Sequence, residues 1–403
     1  MIGTATVIAS GIVACDAGSP PIPEANGPKK ATTPAPVDKA AEEAATRKAA
    51  EEAAAKKAAE EEAAKKAAAE ARAAKMGPGR VVQVTHPGAT EDIKKTNEEV
   101  VKKMVSKALT EFTGDDDPVK AIARFFKKED VVGIKVNCLG SPYATVHPAT
   151  AFALADTLHA MGIPKNNIYI YDQYGSRMRK AGFKLTRKKV DEDEYHVQYH
   201  GTLGYEKGKT EHAGHFKNKK PGSSQFPRLL DKLTAVLNVC CVKDHDLTGI
   251  TGALKNVSYG NVERVPIFHC QPDCNPNCCQ DAPINGKEMG GLCNVSRIYT
   301  HPKMGGLVKL VVCDALRVLY QGGPQDNMTY KKAHNALLVS TDPVAIDRAI
   351  LEIVNGYRAE RGLKSIEKDQ GGRRAPRFLE AANKLGLGEH KLDKIKWEKV
   401  NMT

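Results

Sequence analysis

The sequence predicts an α/β domain with a mostly parallel sheet flanked by helices, preceded by a long single helix. In residues 80–403, short apolar runs alternate with helical segments, as in a parallel sheet with crossover helices. In residues 39–75, alanine fills the sequence between Glu pairs and basic pairs that each recur every nine residues. Alanine favours helix, and the segment lacks the apolar stripe of a coiled coil, so we expect a solvated spacer helix.

The first fifteen residues have the pattern of a bacterial lipoprotein signal. Residues 1–14 are apolar or small and uncharged, and the sequence IVAC ends at Cys15, which would receive the lipid. The run is too short to cross a bilayer, although it lacks the Lys or Arg that usually precedes such a run. We therefore expect an extracytoplasmic chain, anchored through Cys15 to a bacterial membrane and facing the periplasm. Residues 16–38, rich in Pro and Ala, predict a disordered tether.

The glutamates of the 39–75 helix stand four residues before basic residues, as in Glu43–Arg47 and Glu52–Lys56. This order stabilises a helix. At 1.5 Å per residue, the helix would be roughly 55 Å long. It would hold the domain away from the membrane. The alternative is that this helix binds an envelope protein complex.

Apolar runs and the residues that interrupt them predict the elements of residues 80–403. Strands are predicted at residues 80–85, 131–136, 168–171, 234–242, 307–313, 336–340 and 395–400. Helices are predicted at residues 93–112, 119–126, 149–161, 253–257, 343–355 and 374–385. The polar residues 185–228 predict an irregular insertion, and residues 261–306 a Cys-rich loop. Asp342 precedes Pro343, which favours the first turn of a helix, so we interpret Asp342 as a helix cap.

Polar side chains gather where the predicted strands end, which is where open parallel sheets bind ligands. Three lysines, Lys135, Lys243 and Lys255, would be costly to bury together without an anion. His147 precedes a helix and either caps it or reaches into the same cleft. The candidate ligand-binding residues are Lys135, Asn137, His147, Lys243, Lys255 and Asn256. The candidate metal ligands or acid–base groups at these strand ends are Asp172, His245 and Asp314.

Several segments occur in a recognisable order: VGIKVN, HP, KDH, GITGALKN, CDAL, GGP and DPVAID. Because of these segments and their order, roughly residues 80–400 resemble the bacterial and archaeal family catalogued as domain of unknown function 362. The resemblance implies that these segments build one site, but it supplies no reaction. Some members carry a ferredoxin-like module with C-x-x-C spacing, which this chain lacks. His269 and Cys274 fall where members often have a His and a Cys, which implies a place for both in the main site as candidate metal ligands.

Ten cysteines are present, five of them within residues 270–293. Cys313 ends an apolar strand and is expected to be a buried thiol, and at least one of Cys240 and Cys241 should belong to the core. Three loop cysteines are four residues apart, but the prolines between them exclude a regular helix. Outside the cytoplasm, the simplest interpretation is that disulfides staple the loop. A metal or iron–sulfur site with His269, and free thiols, are the alternatives.

The formal net charge of +12 favours anionic partners. Nucleic acid is not expected, because aromatics make up 5% of the chain and no binding motif is present. The sequence lacks a Walker loop, a G-x-S-x-G elbow, a haem-attachment motif and a G-x-G-x-x-G motif. We therefore hypothesise a membrane-tethered protein that binds an anionic small molecule, with a divalent metal as candidate cofactor. The alternatives are an iron–sulfur or redox module of an envelope electron-transfer assembly, and a structural envelope lipoprotein.

Overall fold

The computed structural model describes residues 46–60, 62–63, 76–206, 210–211, 223–269, 294–304 and 306–403. The chain divides into two units, residues 1–64 and residues 65–403. In the first unit, residues 46–60 and 62–63 are helical and exposed. Arg47 pairs with Glu51 at 3.3 Å, so this observed pair has the basic residue first. The lipoprotein signal with Cys15, the tether and the remainder of the predicted spacer helix lie outside the described residues.

In the second unit, the described strands build an α/β domain around a nine-stranded sheet. The strands in chain order are β1 (Arg80–Thr85), β2 (Val132–Lys135), β3 (Ile168–Asp172), β4 (His196–Tyr199), β5 (Thr210–Glu211), β6 (Ser223–Ser224), β7 (Ala235–His245), β8 (Gly249–Thr251), β9 (Val308–Leu319), β10 (Lys331–Ser340) and β11 (Lys396–Asn401). The main sheet has the order β11-β1-β10-β9-β7-β2-β3-β4, with β8 paired to β7. Strands β5 and β6 form a separate pair.

The prediction of a mostly parallel sheet is confirmed. Strand β2 is parallel to β3 and β7, β3 to β4, β7 to β9, and β1 to β11, while β10 and β8 are antiparallel to their neighbours. After β2, the chain moves outward to β3 and β4 and then returns to β7 on the other side of β2. The space between β2 and β7 is therefore a topological switch point, where sheets of this kind bind ligands.

Helices pack on both faces of the sheet. They are α1 (Glu98–Thr113), α2 (Pro118–Ile122), α3 (Pro148–Ala160), α4 (Gly175–Lys180), α5 (His200–Leu203), α6 (Ala253–Ser258), α7 (Asn294–Tyr299), α8 (Pro343–Glu360) and α9 (Phe378–Lys384). Helices α1 to α4 contribute to one hydrophobic core and α6 to α9 to the other. Because side chains alternate along a strand, Val132 and Ile134 face the first core, and Lys135 faces the second. No helix in the described ranges has the length and apolar character that crossing a bilayer requires.

Two strands run further than the sequence pattern predicts, which changes the setting of three candidate site residues. Lys243, His245 and Asp314 lie within β7 and β9 rather than in loops that follow them. The extension of β7 accompanies a hairpin with β8, where Gly249 adopts a φ of +78°. The predicted irregular insertion also contains β4, an edge strand that pairs with β3. Strand β4 has four residues, which are too few for an alternation of apolar and polar side chains to be recognised in a polar segment.

The interpretation of Asp342 as a helix cap is confirmed. Its Oδ1 accepts hydrogen bonds from the backbone amides of Val344 at 2.9 Å and Ala345 at 2.8 Å, at the start of α8. Its Oδ2 accepts from the amides of Gly79 and Glu389, each at 2.8 Å. One buried carboxylate therefore joins the start of α8 to the segments that precede β1 and β11.

A second buried carboxylate, that of Asp347 in α8, fixes the start of α6. The backbone amides of Ala253 and Leu254 donate to it, the latter at 3.1 Å. Gly252 leaves room for this contact, because a Cβ there would collide with Asp347 Oδ1. Burial raises the pKa of Asp347 to about 7, although the two amides act to lower it. Since α6 carries Lys255, Asp347 positions a candidate site residue.

We predict that Asp347→Asn changes the pH dependence of stability. The folded-state pKa of about 7 exceeds the unfolded value of 3.8, so between these values the native state retains a proton that the unfolded state has lost. The free energy of unfolding should therefore fall as pH rises through this window, by up to about 1.4 kcal/mol per pH unit from this group. The variant should lack this contribution. Urea unfolding at several pH values measures it, and parallel profiles would contradict the prediction.

Candidate functional site

A cavity lies at the switch point, beside the carboxyl ends of β2 and β3. The cavity measures about 60 Å³. Strand β7, the end of β8, helix α6 and residues 259–269 complete the described lining. Seven of the predicted site residues line it: Lys135, Asn137, Asp172, His245, Lys255, Asn256 and His269.

The base of the cavity is a buried ion pair between Lys135 and Asp172. The Lys135 ammonium is fully buried and donates to Asp172 Oδ1 at 2.6 Å, to the Val136 carbonyl at 2.7 Å and to Asn256 Oδ1 at 3.2 Å. Burial alone would raise the pKa of Asp172, but the charge and hydrogen bond of Lys135, with the amides of Gln173 and Cys138, hold it below its usual range. With three acceptors, the ammonium has used its three protons.

Asn256 joins this ion pair to the centre of the sheet. Its Nδ2 donates to the carbonyl of Lys135 at 3.1 Å, to Asn238 Oδ1 at 2.8 Å and to the carbonyl of Val239 at 3.1 Å. Its Oδ1 accepts from Lys135 and, at 3.3 Å, from Asn137 Nδ2. The side chain thus bridges β2, β7 and the loop after β2, and its hydrogen-bonding groups are occupied within the protein.

Lys243 does not line the cavity. It lies behind the lining residue Asn137. Its fully buried ammonium donates to Asn137 Oδ1 at 2.7 Å and to the carbonyl of Ala144 at 3.4 Å. Both acceptors are neutral. Among the described residues, Lys243 therefore contributes a buried positive charge that no carboxylate contacts.

Asp244, the next residue of β7, belongs to a different buried network. It forms ion pairs with Arg374 and, at 3.9 Å, with Arg358, and it accepts from the amide of Gly323 at 2.8 Å. Asp369 contacts both arginines, at 2.5 and 2.7 Å. Burial raises the pKa of Asp244 even though the arginines act to lower it. These contacts hold the end of β7 in place, so the role of Asp244 is to position its neighbour, His245.

Two stacked histidines and Lys255 form the wall opposite the ion pair. The rings of His245 and His269 lie 5.2 Å apart with planes 11° from parallel. Burial, with the positive charge of Lys255, lowers the pKa of His245 well below its usual value and that of His269 to about 3, so both rings are neutral at pH 7. The amide of Leu247 donates to His245 Nδ1, which leaves the proton of the neutral ring on Nε2. Lys255 is 5% exposed and donates to Thr248 Oγ1 at 2.9 Å.

Seven residues of the lining were not predicted as site residues, among them Thr251, Gln173 and Tyr174. The Thr251 hydroxyl is buried and has no hydrogen-bond partner among the described residues. Gln173 Nε2 donates to the carbonyl of Val262 at 2.7 Å and so holds residues 259–269 over the cavity. Gln173 and Tyr174 directly follow Asp172, so the rule that ligands bind beyond strand ends would have found both.

Asp314 and His147 are not brought to the cavity. Asp314 Oδ2 accepts from the amide of His147 at 2.9 Å and from Thr150 Oγ1 at 2.8 Å, and Oδ1 accepts from the amide of Leu316 at 3.1 Å. Asp314 thus anchors the start of α3. His147 is the N-cap of that helix, since its Nδ1 accepts from the amide of Ala149 at 3.1 Å. Because side chains alternate along β9, Asp314 faces the same core as Val312 and Leu316, which lies on the opposite side of the sheet from Lys135.

The predicted metal and disulfide chemistry depends largely on residues 270–293, including Cys274, which lie outside the described residues. Within the described ranges, no three His, Cys, Asp or Glu side chains form a group that could hold a metal ion. Cys138, Cys240, Cys241 and Cys313 are free, buried thiols. The prediction for Cys313 is therefore confirmed, and both Cys240 and Cys241 belong to the cores.

A family comparison matches the part of the chain that builds the cavity. The family described as "Domain of unknown function (DUF362)" matches residues 132–352. The chain belongs to this family. The DUF362 match begins with β2 and ends within α8, so it includes the switch point and the Asp347 contact but not β1 or β11. A search of curated proteins finds no match.

We predict that the Lys135–Asp172 pair is strongly coupled energetically. Lys135→Met leaves a buried carboxylate without its cation, which should cost about 3–5 kcal/mol of unfolding free energy. Adding Asp172→Asn should recover part of this loss, because it removes the unpaired charge. Urea denaturation of the two single variants and the double variant gives the coupling energy. If the double variant loses the sum of the two single losses, the residues act independently.

Proposed function

We propose that this chain is a membrane-tethered extracytoplasmic protein that binds a small anionic molecule in the switch-point cavity. The support comes from the charges around the cavity. Lys135, Lys243 and Lys255 place three buried ammonium groups in or behind the lining. Among the described lining residues, Asp172 is the only one with a carboxylate, and the Lys135 ammonium neutralises its charge. Among the described residues, the ammonium groups in or behind the lining therefore outnumber the carboxylates, which favours an anionic ligand.

Two groups in the lining are suited to contact the anion directly. The Lys255 ammonium provides a charged donor, and a hydrogen bond to a charged group contributes about 1.5–3 kcal/mol. Thr251 is 4% exposed, and its buried hydroxyl lacks a partner among the described residues, although a buried hydroxyl normally has one. An anion bound beside these two side chains would satisfy the hydroxyl and pair with the ammonium.

The decisive experiment compares Thr251→Val with the wild-type full chain. Val has nearly the shape of Thr but lacks the hydroxyl. If the hydroxyl contacts the anion, the variant should bind inorganic phosphate and acetate several-fold more weakly. Its free energy of unfolding without ligand should be unchanged or higher, because an unpartnered buried hydroxyl has been removed. Isothermal titration calorimetry and urea denaturation measure the two effects.

Lys255→Met extends the test to the charge. Loss of one charged hydrogen bond should weaken binding at least about tenfold. Lys103→Met, an exposed substitution on α1, removes the same net charge away from the cavity and should leave affinity unchanged. Equal affinity in the wild type, Thr251→Val and Lys255→Met, or no anion binding by the wild type, would overturn the proposal.

The tether is tested separately. If Cys15 carries lipid, the full chain expressed in a bacterial host should be found in the membrane fraction, and Cys15→Ala should move it to the soluble fraction. Cys138→Ala is the matched control, because it removes a buried thiol of the folded domain and should leave the chain with the membrane. A Cys15→Ala chain that stays membrane-bound would contradict the lipid anchor.

A further inference from the structure

The mouth of the cavity carries apolar side chains that neither core uses. Tyr174 is 44% exposed, which makes it one of the two most exposed large apolar residues of the described chain, yet it lines the cavity. Leu139 is half-buried and also lines the cavity. Neither side chain belongs to the two hydrophobic cores or packs against them among the described residues. Their exposure therefore has no explanation in the packing of the described residues.

The cavity lining includes deeply buried polar side chains and more exposed apolar ones. Lys255 and Thr251 are 5% and 4% exposed, whereas Tyr174 and Leu139 are more exposed. The cavity, about 60 Å³, has room for an acid group of a few heavy atoms. A ligand that fits both sets of side chains has a small acid head and an apolar body.

We infer that the ligand is an aromatic monocarboxylate, bound with its carboxylate toward Lys255 and Thr251 and its ring against Tyr174 and Leu139. This inference rests on the proposed function and specifies its ligand class. An aromatic body suits this mouth because a flat ring can stack on the Tyr174 ring, which gains energy beyond the buried area. A carboxylate suits the cavity because it is small and planar and carries one charge.

The test compares benzoate with acetate, which have the same acid group, by calorimetric titration of the full chain. The wild type should bind benzoate at least about tenfold more tightly than acetate, the equivalent of about 1.4 kcal/mol. Tyr174→Ala should remove most of this preference, because benzoate loses its stacking partner and acetate has no ring that contacts Tyr174. Lys255→Met should weaken the binding of both.

Met328→Ala is the matched control, because Met328 is 46% exposed and is not part of the described lining. It should retain the preference for benzoate. Equal binding of benzoate and acetate by the wild type, or a preference that survives Tyr174→Ala, would overturn the aromatic ligand while leaving the anion site in place. Absence of binding by both would overturn the proposed function itself, so the two failures are distinguishable.

Discussion

The buried ion pair of Lys135 and Asp172 is the interaction on which the candidate site depends. Either charge alone would cost several kcal/mol in this position, so the pair forms only when β2 and β3 lie in their observed register. Asn256 extends the constraint from β2 to β7 through its hydrogen bonds. The result is a rigid base at the switch point. Gly260 lies directly against it, since a Cβ there would be 2.7 Å from the Lys135 ammonium.

The polar residues around the cavity divide into two groups with different roles. Lys135, Asn256 and Asp172 use their hydrogen-bonding groups within the protein, so they hold the strands and set the local charge. Lys255 and Thr251 are oriented by α6 and β8, which the rest of the fold positions. Residues held in this way lose little conformational entropy when a ligand arrives. Affinity for a small molecule can then arise from few contacts.

Sequence patterns predicted the sheet, its mostly parallel direction and most of its strands, because buried parallel strands are short apolar runs. They also brought together Lys135, Asp172 and Lys255, since strand ends meet at one edge. They misplaced Asp314 because β9 continues past Cys313 and its alternation turns Asp314 toward the core on the α3 side of the sheet. They did not reveal β4, which is four residues long. The unpartnered state of the Thr251 hydroxyl depends on three-dimensional packing, so no linear pattern could show it.

The inclusion of Lys243 and His245 in β7 has a consequence for how this site tolerates sequence change. A loop can accept an extra residue by bulging outward, but successive residues of a strand point to opposite faces. One residue inserted after Asn238 would turn Lys243 and His245 to the other face, while the apolar content of the strand stayed nearly the same. A hydrophobicity profile of the sequence would therefore not reveal this change in side-chain direction. Length variation among DUF362 chains should therefore be rare in β7 and common in the segments that join the strands.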